Sequence, residues 1–215
     1  MDYEKAEKNA LESTFSDFGL PYKPEYLDSY KKINAAYWKL FEKGDISLED
    51  LRVNRFSEFF KEQNLQAVPK DVSGRYLRHL GQGAFLLDGA EKVLNHLHAR
   101  FTLAIITNGI PEVQRSRFQL VNIGRFFKEI IISEEIGSSK PNTEFFRITS
   151  EKLGISDPAS ALVVGDSLAS DILGGNNYGM NTCWYNPQNL PRNPDIKPTY
   201  EIKDLADLLH LVGEG

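Results

Sequence analysis

The chain of 215 residues contains one cysteine, Cys183, so an internal disulfide framework is excluded. A reducing, cytoplasmic compartment is the simplest expectation. Cys183 lies in the short apolar run Thr182-Cys183-Trp184-Tyr185 without the partner residues of thiol catalysis, and it reads as core packing. No apolar stretch approaches the ~20 residues of a membrane span. The opening Met1-Asp2-Tyr3-Glu4 is charged and is not followed by the apolar run of a signal peptide. A basic surplus is also lacking: 25 Lys and Arg against 30 Asp and Glu give a net charge of -5, which disfavours a nucleic-acid polymer as partner. Finally, no Asp-x-Asp pair occurs anywhere in the sequence. What is present suits a globular enzyme-sized protein. Hydrophobic residues make up 41% and aromatics 11%, with room for one full domain and a smaller one.

Two textures divide the chain. From residue 3 to about 80 the apolar positions recur at helical spacing and no strand pattern occurs. Ala6, Ala10, Leu11, Thr14, Phe15 and Phe18 form one stripe, closed by Gly19-Leu20-Pro21. Tyr30, Ile33, Ala36, Tyr37, Leu40 and Phe41 form a second, ended by the turn at Gly44-Asp45-Ile46. Ser47, with Asp50 three residues on, reads as the cap of a helix reaching Phe60, and a further helix is expected over about 71–79. From Asp88 onward, helical segments alternate with short apolar runs at Leu103–Ile106, Ile130–Ile132, Ala161–Val164 and Thr182–Tyr185. That alternation predicts an α/β fold with a parallel sheet covered on both faces. Gln188 to Pro198, with Pro191, Pro194 and Pro198, reads as an irregular loop, and a helix over 204–211 closes the chain.

Three polar clusters fall at the carboxyl ends of successive apolar runs, the rim where open α/β sheets bind ligands. Thr107 ends the first. Its hydroxyl and the N–H groups of Asn108 and Gly109 are suited to an anion, helped by the helix expected after Pro111. An Asn-Gly pair also makes plain turns. Lys140 follows the second run, between Gly137-Ser138-Ser139 and a Pro141 expected to open a helix. Fixed there, it would offset charge on a phosphoryl group and on neighbouring carboxylates. Asp166 ends the third, with Asp171 in the early turns of the helix that follows. A carboxylate at this tip suits Mg2+, although helix capping alone is a sufficient use for Asp166-Ser167.

Taken together, Ile105-Ile106-Thr107-Asn108, Ser139-Lys140-Pro141 and Val164-Gly165-Asp166-Ser167 through Asp171 resemble three of the four motifs of the haloacid dehalogenase superfamily. The resemblance implies a doubly wound parallel core over residues 83–215 with a helical cap domain over 1–82, as in the phosphoglycolate-phosphatase-like branch. It implies that Thr107, Asn108, Gly109 and Lys140 bind phosphate, Lys140 and Thr107 acting catalytically. It further implies that Asp166 ligates Mg2+, and that Asp171 orders the metal shell or Lys140. Asn34-Ala35-Ala36-Tyr37-Trp38, Arg55-Phe56, Ile132 to Gly137 and Asp171 to Gly175 resemble bacterial pyrimidine 5'-nucleotidases most closely. Trp38, Tyr37 and Arg55 become candidates for substrate contact on that resemblance, with packing as the plainer use of an aromatic stripe.

The superfamily's first motif, an apolar strand ending in Asp-x-Asp-x-Thr, supplies the nucleophile and the general acid, and these 215 residues do not contain it. The expectation is therefore a Mg2+-dependent phosphatase of a small phosphorylated metabolite, a nucleoside 5'-monophosphate by resemblance. Its central strand and nucleophile would lie in an N-terminal segment missing from this chain, which is then expected to be inactive and poorly stable by itself. Two alternatives stand beside it: a phosphate- or partner-binding module without turnover, and a metal-independent 2-haloacid dehalogenase.

Overall fold

A computed structural model describes residues 1–213, which divide into two compact units: residues 1–85 with 112–121, and residues 86–111 with 122–213. The first unit is helical. Its elements are α1 (Tyr3–Asp17), α2 (Glu25–Lys43), α3 (Leu48–Gln63) and α4 (Pro69–Gln82), and the segment 112–121 groups with them. Each helix starts and stops for local reasons. The Asp2 side chain accepts from Lys5 N and caps α1, while Gly44, at φ 80°, closes α2 in a left-handed conformation that costs glycine little. Ser47 and Asp50 exchange hydrogen bonds in a full capping box at the start of α3. The apolar stripes then meet in an aromatic core. Phe15, Tyr30, Phe56, Phe59 and Tyr76 are all fully buried, and the Tyr30 ring packs edge-on against Phe59 at 5.8 Å. Each such side chain contributes roughly 1.5–3 kcal/mol by leaving water.

The second unit is α/β. After α5 (Ala90–His98) come β1 (Ala104–Thr107), α6 (Pro111–Leu120), β2 (Glu129–Ile132), α7 (Ser133–Ile136) and α8 (Thr143–Leu153). They are followed by β3 (Leu162–Gly165), a π turn at Leu168–Ile172, α9 (Leu173–Tyr178), β4 (Asn181–Tyr185), β5 (Tyr200–Ile202) and α10 (Asp207–Leu211). Of these, only the stretch of α6 from Glu112 onward groups with the helical unit. All strand pairing is parallel, as the alternation predicts. The strands form two ladders, β1–β2 and β3–β4–β5, and no ladder joins β1 to β3 among the described residues.

That break changes one expectation. Strands covered on both faces should be deeply buried, whereas β1 is half-buried throughout and Val164 in β3 is 41% exposed. Side chains nevertheless bind the two ladders into one core: Ile131 of β2 clusters with Val163 of β3, Phe145, Phe146 and Met180. Cys183 is buried among Val93, Ile202 and Leu208, as the packing interpretation requires, and burial pushes its thiol pKa up to about 11. No helix among the described residues is long and apolar enough to cross a membrane.

Candidate active site

Register places Thr107 opposite Ile132, so the loops after β1 and β2 leave the sheet at the same rim. Two turns there are tied by side chains. Asn108 is buried, and its amide reads Lys140 twice. Nδ2 donates to the Lys140 carbonyl at 2.8 Å, and Oδ1 accepts from the Lys140 N–H at 2.9 Å. The two bonds fix a backbone 32 residues away in sequence. Thr107 Oγ1 accepts from Gly109 N at 3.0 Å, which leaves the hydroxyl proton available to donate. In this structure the Gly109 N–H is used inside the turn.

Lys140 is 7% exposed, and its ammonium joins the two ladders. Nζ donates to the Ile106 carbonyl of β1 at 3.1 Å and to Asp171 Oδ1, in the turn after β3, at 2.6 Å. The other oxygen of Asp171 accepts from Ser167 N at 3.2 Å, so both oxygens of this buried carboxylate are engaged. Ser167 caps the π turn that carries Asp171, its side chain accepting from Ser170 N. Gly165 must be glycine for the same reason: a Cβ there would fall within the Asp171 side chain. Pro141 itself stands two residues before the helix, which runs from Thr143 to Leu153 as its apolar spacing predicts. Asn142 is the true cap, accepting from Glu144 N, and α8 starts at Thr143.

Asp166 follows directly on β3 and is exposed by area. Protein nonetheless crowds its carboxyl: burial, and then the charge of Asp171, raise its pKa from the ordinary aspartate value, with Lys140 opposing. Its backbone carbonyl accepts from Trp184 Nε1 at 2.9 Å, an anchor that reading β4 as plain core packing missed. Among the described residues no group of three or more His, Cys, Asp or Glu gathers as a ready metal cage. The donor set fits Mg2+ in its commonest form, in which one or two carboxylates hold the ion and waters and phosphate complete the shell. Asp166 is the carboxylate available for it, since Asp171 is committed to Lys140.

The three substrate candidates lie in the helical unit in different settings. Tyr37 is half-buried and donates to Glu58 Oε2 at 2.9 Å, and Trp38 meets Phe41 edge-on at 5.8 Å. Arg55 is 1% exposed and donates from Nη1 to Asn34 Oδ1 at 2.7 Å, while Asn34 Nδ2 donates to Glu7 Oε1 at 2.9 Å. Glu7 and Asn34 were missed as polar members of the helical stripes. The signal was there, because a charged or amide side chain on a buried face requires a partner.

Comparison with known proteins agrees with this architecture. Residues 1–185 match the family described as haloacid dehalogenase-like hydrolase. The chain is 36% identical to the HAD-hydrolase YfnB of Bacillus subtilis, over 99% of this chain and 90% of that protein. It is 33% identical to the pyrimidine 5'-nucleotidase PynA of Streptococcus pneumoniae, over 97% and 89% respectively, and 30% identical to the pyrimidine 5'-nucleotidase YjjG of Escherichia coli, over 94% and 89%. A crystal structure of YfnB described as bound to magnesium superposes with a TM-score of 0.95, covering 100% of this chain and 94% of that one. The chain belongs to the haloacid dehalogenase-like hydrolases.

Proposed function

We propose that this protein is a Mg2+-dependent phosphomonoesterase acting on a small phosphorylated metabolite, a pyrimidine nucleoside 5'-monophosphate by similarity to PynA and YjjG. The observation that carries the proposal is the position of Lys140, whose buried ammonium bridges the β1 carbonyl rim and Asp171. An ammonium fixed by two acceptors keeps its charge and direction when a phosphoryl group arrives. Thr107 would donate its hydroxyl proton to a phosphoryl oxygen, and the Asn108 N–H would face the same group. Asp166 would hold Mg2+, whose charge offsets that of the phosphoryl oxygens. Asp171 acts through Lys140, and Asn108 acts through the backbone of Lys140. The helical unit is proposed as the cap domain of this enzyme class.

The attacking carboxylate is not among these residues, since the sequence holds no Asp-x-Asp pair. We infer that it comes from a segment outside these 215 residues, and that the 215-residue chain alone turns over little or no substrate. The test is orthophosphate release from a panel of nucleoside 5'-monophosphates, by the chain alone and by the chain joined to the coding sequence upstream of Met1. Turnover should require the longer form, stop with EDTA and be lost in Asp166→Asn. Equal turnover by the short form would overturn the assignment of the nucleophile. Phosphate binding without turnover in the longer form would favour a binding module.

A further inference from the structure

The helical unit carries an unused guanidinium edge in its interior. Arg55 satisfies Nη1 through Asn34, but Nε and Nη2, the two donors of its opposite edge, have no hydrogen-bond partner. The residue is 1% exposed, and its guanidinium lies 5.3 Å from the Tyr76 ring centre and 5.5 Å from that of Phe56. The hydroxyls of the fully buried Tyr30 and Tyr76 lie beside it, within reach of one another and of the Tyr3 hydroxyl. Arg117, itself 2% exposed, approaches the same cluster with its guanidinium 5.9 Å from the Tyr3 ring centre. Its Nε donates to the Gly83 carbonyl at 3.0 Å, and its Nη2 is unpaired. Against these two buried cations stands one buried carboxylate, Glu7, which reaches Arg55 through Asn34.

Buried donors left unmade are costly, the more so on charged groups, so native interiors rarely keep several together. Here guanidinium N–H groups of Arg55 and Arg117 stand without an acceptor, and two buried cations face a single buried carboxylate. An Nε–Nη2 edge presents two parallel N–H groups, the geometry that takes two oxygens of a carboxylate or phosphate at once. We propose that this cluster is a second ligand site, independent of the Lys140 rim, at which an oxyanion of carboxylate or phosphate type engages the Nε–Nη2 edge of Arg55 with the Tyr30 and Tyr76 hydroxyls beside it.

The test uses the 215-residue chain with inorganic phosphate and, separately, acetate as probes, followed by calorimetry and by the NMR signal of the Arg55 Nε–H. With the rim site removed by Lys140→Ala, one of the two oxyanions should still bind and shift that signal. Arg55→Lys, which keeps the charge and loses the paired edge, should weaken this binding at least about tenfold while sparing the Lys140-dependent event. The wild-type NMR titration stands even if Arg55→Lys fails to fold. An Arg55 signal unmoved by either probe at tens of millimolar, or unchanged affinity in Arg55→Lys, overturns the proposal. Loss of the Lys140-dependent event alone would instead count against the proposed phosphatase site.

Discussion

The ammonium of Lys140 lies 2.6 Å from Asp171 Oδ1, with each side chain only 9% exposed. A pair this buried binds strongly only because both members are also hydrogen-bonded, Lys140 to Ile106 O and Asp171 to Ser167 N. Removing one partner strands the other charge. Asp171→Asn should therefore cost about 3–5 kcal/mol in denaturant unfolding, and Lys140→Met a similar amount. The double variant Lys140→Met/Asp171→Asn should lose clearly less than the two single losses combined. Additive losses would show that the two groups do not interact.

Asn108→Ala tests the tie between the two turns. It deletes both bonds to the Lys140 backbone, at about 0.5–1.5 kcal/mol each, so unfolding should show a loss of about 1–3 kcal/mol. Phosphate affinity should fall as well, because Lys140 is no longer aimed. A stability loss with unchanged phosphate affinity would limit Asn108 to a structural role.

Gly165→Ala asks whether Asp171 can move. The new methyl would overlap the Asp171 carboxyl, so either strand β3 or the Lys140 pair must shift, at about 1–3 kcal/mol for an overpacked site. Thermal unfolding at lower temperature, together with weaker phosphate binding, is expected. A silent substitution would mean that the turn after β3 is soft.

Glu7 gives a pH signature. Burial first, against the opposing effects of Lys31, Arg55 and Asn34, raises its carboxyl pKa above 4.5. The folded chain therefore keeps this proton longer than the unfolded chain. The resulting stabilisation is full below the unfolded pKa and is lost as pH rises through the folded one. The stability of wild type relative to Glu7→Gln should accordingly decline as pH is raised from about 4, read as the difference in Tm across a pH series. A difference that stays flat or grows with pH would contradict the sign.

What the sequence made legible was local or periodic. Ser47 and Asp50 fix a helix start by themselves, and the apolar runs at 103–106 and 161–164 mark strands β1 and β3, each found one residue later, because such runs have few other uses. The rim was legible because Thr107, Lys140 and Asp166 each follow such a run. What stayed hidden depends on distant partners. Nothing near Asn108 shows that its amide is spent on a backbone 32 residues on, and nothing near Thr107 shows that its oxygen takes the Gly109 N–H. Strand β5 lies just past a proline-rich loop, and its three residues are too short for periodicity to register. Arg55 was visible as a candidate, whereas Glu7 and Asn34 were absorbed into stripes counted for their apolar members.

The central claim is that residues from three strand ends hold one phosphoryl group and one divalent ion. Co-crystallisation with Mn2+ and orthophosphate, read by anomalous scattering, tests it most directly. The account predicts an anomalous peak bonded to Asp166, with phosphate oxygens within hydrogen-bonding distance of Thr107 Oγ1 and Lys140 Nζ. A metal bound away from Asp166, or phosphate on a surface that includes neither Thr107 nor Lys140, would contradict it.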